Sequence, residues 1–564
     1  MYEYVSINCN CFAKHPSAPM KTAMYLRKPL VALMFTTPLF CIHAQQLPDA
    51  SVLYPETSPR HAPPESSPSF KLDGAPLPRA TAPGGETFRL NEIQFQGHTQ
   101  LSSEQLANVV QPYLGKTVDL AGLQDIANVV TSHYRAAGYP FARAYLPRQD
   151  VANGAITLNI LEGRHGEVAA TIERDGTQTP DREAQAYLTP FRKGEVIRAA
   201  DIERIALIMN DLPGYTAVPI VRPGADVGNG DLEIRLVESE RTRAAIGLDN
   251  HGSRYTGLYR TRADLARAHN LMLGDELRVT GLLTDGNTGL VALGYAMPLM
   301  PNGLRLDLSA VHSSYELSGD WMTGAGFNGK ADILGASVSY PLVRSQTFNL
   351  TLSGALQSKR YTNDIGSRER YNIHTLPLSV NFDVRDRFNG GAVTYGALTA
   401  MTARVGSDNL PTASRDKSFR KLNLDIARIQ RVTDRLQASV KASGQYTNDN
   451  IDATEFLSTS GPSAVRAFPV GEFSGHRGWS VQTELSYNLP QYNVSPYVFY
   501  DKGQASNMTT TLKRTLSGYG VGARFNNGVW MVDVVAAWDS SGSPSQVEPN
   551  ERGARIWASI IRRF

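Results

Sequence analysis

From Arg241 to Phe564 the sequence shows no helical period; it alternates. In LQASVKASGQY (436–446), Leu436, Ala438, Val440, Ala442 and Tyr446 fall on one face, and Gln437, Ser439, Lys441, Ser443 and Gln445 on the other. WSVQTELSYN (479–488) sets Trp479, Val481, Leu485 and Tyr487 against Ser480, Gln482, Glu484 and Ser486. VWMVDVVAAWD sets Trp530, Val532, Val534, Ala536 and Trp538 against Asp533 and Asp539. Successive side chains of a strand point to opposite faces, so each segment reads as a half-apolar strand. Sixteen such candidates fit into these 324 residues, and an even number is what a bacterial membrane barrel requires.

Two of the apolar faces begin and end in an aromatic ring, Trp479 to Tyr487 and Trp530 to Trp538. Eight residues at about 3.3 Å, tilted by roughly 40°, climb about 20 Å, close to the height of an outer-membrane apolar band. A soluble sandwich also alternates, but the ring-bracketed faces and the number of strands favour a barrel. Beyond the N-terminal leader no stretch is apolar enough for a spanning helix, so a spanning segment must be β. Six turns, around Pro298, Pro341, Gly390, Thr433, Pro490 and Asn527, are short and alternate with longer polar loops. With both barrel ends on one side, the short set is periplasmic and the long set extracellular.

Upstream the texture is different. Residues 1–44 resemble a secretory leader: Lys21, Arg27 and Lys28 precede the apolar run LVALMFTTPLFCI, and Ala44 offers a cleavage point. Met20 and Met24 are alternative starts. The three cysteines, Cys9, Cys11 and Cys41, all lie there, so cleavage leaves neither a disulfide nor a thiolate metal site. Residues 45–87 read as a short helical piece and a linker, with nine prolines from Pro48 to Pro83. Such a chain is extended and builds no core.

From Phe88 a β-α-α-β-β order is legible. FRLNEIQFQG reads as a strand. Ser102 and Gln105 are spaced as a capping box, and Asp119 caps a second helix with Leu123, Ile126, Val130 and Tyr134 on one face. FARAYLP and AITLNILEG follow as strands. The order repeats: a strand at 166–173, helices near 181–189 and 198–210, strands at 216–222 and 231–238. Residues 138–162 align without gaps with 214–238, with eight of 25 positions identical. The units are 88–164 and 165–240, followed by the barrel, 241–564.

Motif chemistry is sparse. GAGFNGKA (324–331) nearly spells a phosphate loop, but no Ser or Thr follows Lys330 and no helix follows, so it reads as a hairpin loop. The eleven histidines have no paired spacing, and no nucleophile–base pattern occurs. The net charge of +3 is spread along the chain, which argues against nucleic acid as a partner. Two short stretches remain. In YVFYDKG (497–503) Phe499, Asp501 and Gly503 share one face, opposite Val498 and Tyr500, so Asp501 points into the lumen. In PSAVRAFPVGEFSGHRG (462–478), inside a long loop at 449–478, Arg466 stands among Val465, Ala467 and Phe468.

Together these features resemble the two-partner secretion transporters of Gram-negative outer membranes, the TpsB family that includes the haemolysin activator ShlB, the adhesin transporter FhaC and HecB. The likeness covers essentially the whole mature chain. It implies two periplasmic α+β POTRA domains followed by a 16-stranded antiparallel transmembrane β-barrel. The family's V-R-G-Y loop motif is matched by Val465, Arg466, Ala467 and Phe468, with Ala and Phe in place of Gly and Tyr. Its F-x-D-x-G strand motif is matched by Phe499, Asp501 and Gly503. The resemblance implies that the long loop folds into the lumen, where Arg466 pairs with Asp501, and that residues 48–55 form a plug helix. It further implies a transporter, not an enzyme, with no cofactor or metal. The POTRA domains would receive an unfolded TpsA-type exoprotein, and the barrel would secrete it without ATP. Outer-membrane lipid would surround the barrel, and the terminal Phe564 would be read by the barrel assembly machinery. An assembly factor of the same superfamily is the alternative, with two POTRA units favouring secretion; a passive porin has no use for such an arm.

Overall fold

The computed structural model describes residues 84–564 except 152, 318–326, 366, 408–415, 543 and 549–552. The leader, the plug segment and most of the linker lie outside the described residues, as does the start of GAGFNGKA; its remainder opens a strand.

The first unit contains β1 (Phe88–Arg89), β2 (Glu92–Gln96), α1 (Ser103–Val110), β3 (Thr117–Val118), α2 (Leu120–Ala136), β4 (Arg143–Tyr145) and β5 (Ala155–Leu161). Both halves of the capping box form: Gln105 N–H donates to Ser102 Oγ at 3.2 Å, and Ser102 N–H to Gln105 Oε1 at 2.9 Å. Asp119 caps α2 by accepting from Gly122 N–H at 2.8 Å. The FRLNEIQFQG strand is broken, because Leu90 turns into the core while Phe88–Arg89 pair with β3. β5 lies between β2, parallel, and β4, antiparallel. A parallel neighbour needs a crossover, which the two helices supply. Leu106, Val110, Leu123, Ile126, Val130 and Tyr134 bury against Ile156, Leu158 and Ile160.

The second unit repeats this plan with β6 (Arg164–Arg174), β7 (Thr177–Pro180), α3 (Arg182–Ala186), α4 (Ala199–Asn210), β8 (Tyr215–Pro223) and β9 (Asn229–Glu238). β9 is parallel to β6 and antiparallel to β8. Leu232, Ile234 and Leu236 fill the core positions that Ile156, Leu158 and Ile160 fill in the first unit. Two details differ from the sequence expectation. The helix near 181–189 spans only Arg182–Ala186. β7 was not expected, because its four residues are all exposed and carry no apolar alternation. The signal for it was Asp175-Gly176, both at positive φ, which forms a tight hairpin turn.

The barrel strands are β10 (Thr242–Asp249), β11 (Arg260–Ala268), β12 (Glu276–Thr284), β13 (Gly289–Pro298), β14 (Arg305–Leu317), β15 (Phe327–Arg344), β16 (Phe348–Ile365) and β17 (Ser367–Asp386). They continue as β18 (Ala392–Ser407), β19 (Ser418–Arg431), β20 (Leu436–Tyr446), β23 (Arg477–Tyr487), β24 (Val494–Ser506), β25 (Lys513–Asn526), β26 (Trp530–Asp539) and β27 (Arg555–Arg563). Between β20 and β23 the loop carries a small ladder of β21 (Leu457–Ser458) with β22 (Ser474–Gly475). The sixteen strands close into a ring in sequence order, and β27 pairs back onto β10. Closure leaves no free edge, the condition for strands in lipid. Outward residues such as Val440, Trp479, Leu485, Val498, Tyr500, Trp530 and Val534 are exposed apolar groups. A seventh short-side turn joins β11 to β12 at 269–275; its apolar text, Leu271-Met272-Leu273, hid it among strand residues.

That turn docks on the second unit. Leu273 enters the unit's core, and its N–H donates to Glu183 Oε2 at 2.6 Å. α4 reaches the β15–β16 turn. Arg204 donates to the carbonyls of Pro341 and Leu342 at 2.8 and 3.1 Å, and Glu203 accepts from Gln346 N–H at 2.6 Å. Arg344 clasps Asp211 with two bonds, of 2.8 and 2.7 Å.

Candidate functional site in the barrel lumen

The loop between β20 and β23 spans 447–476; Arg477 and Gly478, read as loop from the sequence, already pair with Ser506 and Ala505 of β24. The β21–β22 ladder brings the two legs of the loop together. Between them Phe468 N–H donates to Val465 O at 3.2 Å, which makes a tight turn. That turn presents Arg466.

Arg466 is inside the barrel and buried, as is Asp501. Arg466 Nε donates to Asp501 Oδ2 and Nη2 to Oδ1, each at 2.8 Å, and the Arg466 backbone N–H adds a third bond to Oδ2 at 3.0 Å. The planar guanidinium suits this bidentate geometry. It also lies 3.5 Å from the centroid of the Phe499 ring, in cation–π range. Nη1 reaches Glu484 Oε2 on β23 at 3.3 Å. Glu484 in turn binds Arg524 of β25, whose Nε meets Asp533 of β26 at 3.2 Å, and Tyr497 O–H donates to Asp533 at 2.8 Å.

The remaining motif residues pack. A Cβ at Gly503 would lie 3.3 Å from both Thr459 and Val465, so the bare backbone lets the loop rest on β24. Val465 and Phe468 bury with Phe473, Ala505 and Leu516. Ala467 does not have a positive φ, so its departure from glycine carries no backbone strain. Phe468 sits in an apolar setting with the Arg514 guanidinium 5.9 Å from its ring.

Several partners were not singled out from the sequence. Glu484 was counted among ordinary polar-face residues, and Trp557 had no signal. The indole N–H of Trp557 donates to Arg466 O at 2.7 Å. Gly518, Gly520 and Gly522 alternate along β25; a Cβ at each would strike Ala467, the Phe499 ring and the Tyr497 ring, at 2.3, 2.4 and 2.3 Å. Three glycines at period two were the available signal. Glu472 on the loop's second leg pairs with Arg514. It also accepts from Ser545 Oγ at 2.5 Å and Gln546 N–H at 2.7 Å, which ties the loop to the β26–β27 connection.

Beneath Arg466, toward the short-turn end, lies a cavity of roughly 310 Å³ lined by Arg428, Lys441, Glu484, Tyr497, Arg524 and Asp533 among others. The arrangement is a loop fastened inside a barrel by charge pairs, above a polar chamber.

Comparison with known proteins gives one consistent result. The family model described as haemolysin secretion/activation protein ShlB/FhaC/HecB matches residues 228–525, just over half of the chain, and an ShlB-type POTRA domain matches 88–163. The haem/haemopexin transporter protein HuxB of Haemophilus influenzae strain 86-028NP is 24% identical over 92% of this chain and 95% of its own length. The outer membrane transporter CdiB of Escherichia coli O6:K15:H31 is 26% identical over 75% of this chain and 73% of its own length. The solved structure of CdiB from Escherichia coli has a TM-score of 0.68 at 22% identity, covering 89% of this chain and 94% of that one.

Proposed function

The chain belongs to the haemolysin secretion/activation family of ShlB, FhaC and HecB, and from that premise we propose that it carries one cognate exoprotein, of haemolysin or adhesin type, across the outer membrane unfolded and without ATP. The family is one of two-partner secretion transporters of the outer membrane, whose POTRA domains face the periplasm and which act with a cognate secreted protein. In this reading the POTRA units take the extended exoprotein, an unpaired strand edge offering it backbone hydrogen bonds. The barrel then passes it outward, and folding outside draws it on. The protein has no catalytic role.

The observation that carries the reading is the loop held inside the lumen by Arg466 on Asp501. A porin would keep that volume open, whereas a transporter for a polypeptide needs a closure that yields to its cargo. The exposed apolar outer face is proposed to meet lipid, and Phe564 to be read by the barrel assembly machinery.

The test is reconstitution. Purified protein in liposomes is given its unfolded candidate exoprotein with no nucleotide present. The reading expects protease-protected exoprotein inside vesicles that contain the transporter. Equal protection in empty vesicles, or an absolute need for ATP, would overturn it.

A further inference from the structure

The loop's first leg carries a second buried ion cluster, of opposite sign. Glu455 closes the short turn Ala453–Glu455 and is buried. Lys359 of β16 meets its Oε1 at 2.5 Å, and Lys421 of β19 meets its Oε2 at 2.8 Å. Lys421 Nζ also donates to the Glu455 carbonyl at 3.0 Å, as does Gln445 Nε2 of β20 at 2.9 Å. By period two Lys359 shares the lumen face of β16 with Tyr361, and Lys421 that of β19 with Phe419. These rings belong to an apolar cluster with Tyr315, Tyr371, Ile373 and the loop's own Ile451 and Phe456. In such surroundings the charges depend on one another, because removing one leaves the rest unmatched.

The position of this cluster is informative. β16 and β19 are the seventh and tenth strands of the ring, while the partners of Arg466 lie on the twelfth, thirteenth and sixteenth. The loop is therefore fastened to both sides of the barrel. At Arg466 it offers a cation to an acidic wall; at Glu455 it offers an anion to a basic wall. Its backbone ladder, β21–β22, is internal to it, so both clasps can be given up without unpairing the barrel.

We propose that Glu455 with Lys359 and Lys421 is a second latch on the loop, released when the channel opens for its cargo. This rests on the transporter reading above, since a chain crossing the lumen needs the volume that the loop fills. Glu455 is a positioning residue: it acts through the loop and not on the cargo.

Two experiments test the latch. In planar bilayers, Glu455→Gln and Lys359→Met should each raise open-channel time at least about tenfold. The reversed triple variant, Glu455→Lys with Lys359→Glu and Lys421→Glu, should return it toward the parent. Heat-modifiable mobility on gels verifies that each barrel is folded. Second, Lys359→Cys with Glu455→Cys, in a background where Cys9, Cys11 and Cys41 are serine, is joined by a reducible bis-methanethiosulfonate. Secretion should fall below about one tenth of the parent and recover with reductant. Unchanged conductance of Glu455→Gln in a folded barrel would overturn the latch, as would parental secretion by the cross-linked protein. If the parent exports no exoprotein at all, the transporter reading fails, and the conductance arm still decides the latch.

Discussion

Trp557, on the last barrel strand, donates its indole N–H to the backbone carbonyl of Arg466 at 2.7 Å while the Arg466 side chain is held by Asp501 on β24. The turn that presents the arginine is thus gripped from two walls, by its charge and by its backbone. The geometry explains why one guanidinium stands among apolar neighbours: Val465 and Phe468 bury in the wall and aim it.

Arg466→Ala should abolish secretion while the barrel still inserts. Breaking one partner of a buried pair costs about 3–5 kcal/mol, and here the loss falls on the seating of the loop. Arg466→Lys should rescue only weakly, since an ammonium cannot reproduce the fork. The measurements are exoprotein in the medium and heat-modifiable mobility; parental secretion by Arg466→Ala would rule out this role.

Trp557→Phe keeps a ring in the cluster with Tyr497, Phe499 and Val535 but removes the bond to the Arg466 carbonyl. A net loss of about 1 kcal/mol is expected. It should appear as more frequent channel opening in bilayers, with secretion retained.

Gly518→Ala should displace the loop, because the new Cβ would lie 2.3 Å from that of Ala467. Ala467→Gly in the same chain should relieve much of the effect. A double-mutant cycle on protease accessibility of the loop would show coupling of about 0.5–3 kcal/mol; simple additivity would mean that the two sites do not interact.

Acid should loosen the first POTRA unit before the barrel. Burial pushes the Glu162 carboxyl up, but bonds from the Thr99 hydroxyl and N–H, the Gln100 N–H and the Tyr134 hydroxyl outweigh it and hold the group below its ordinary value of 4.5. A lowered folded-state value means stability fully present above pH 4.5 and eroded as pH falls through the folded value. Limited proteolysis of the full chain between neutral pH and about pH 3 should show the unit yielding, and Glu162→Gln should flatten that dependence.

The fold was legible wherever burial imposes a local period. Alternation marked the barrel strands, and the ungapped repeat marked the core residues of both POTRA units. β7 escaped because it buries nothing, and the 269–275 turn because its Leu273 serves a neighbouring unit instead of a strand. The candidate site was legible only in part. Asp501 follows from period two on its strand, and the family likeness paired it with Arg466. Glu484, Trp557, Lys359 and Lys421 meet the loop only once the ring closes. Nothing local at those positions distinguishes them from other lumen residues.

The docking of the second POTRA unit makes the entrance lopsided. The contacts described above fall on the β11–β12 and β15–β16 turns, all in the first half of the ring. The polar chamber under Arg466 is lined from the second half, by residues such as Arg428, Lys441, Arg524 and Asp533. The second POTRA unit therefore leans on one half of the ring, while the arginine clasp and most of the chamber beneath it belong to the other half.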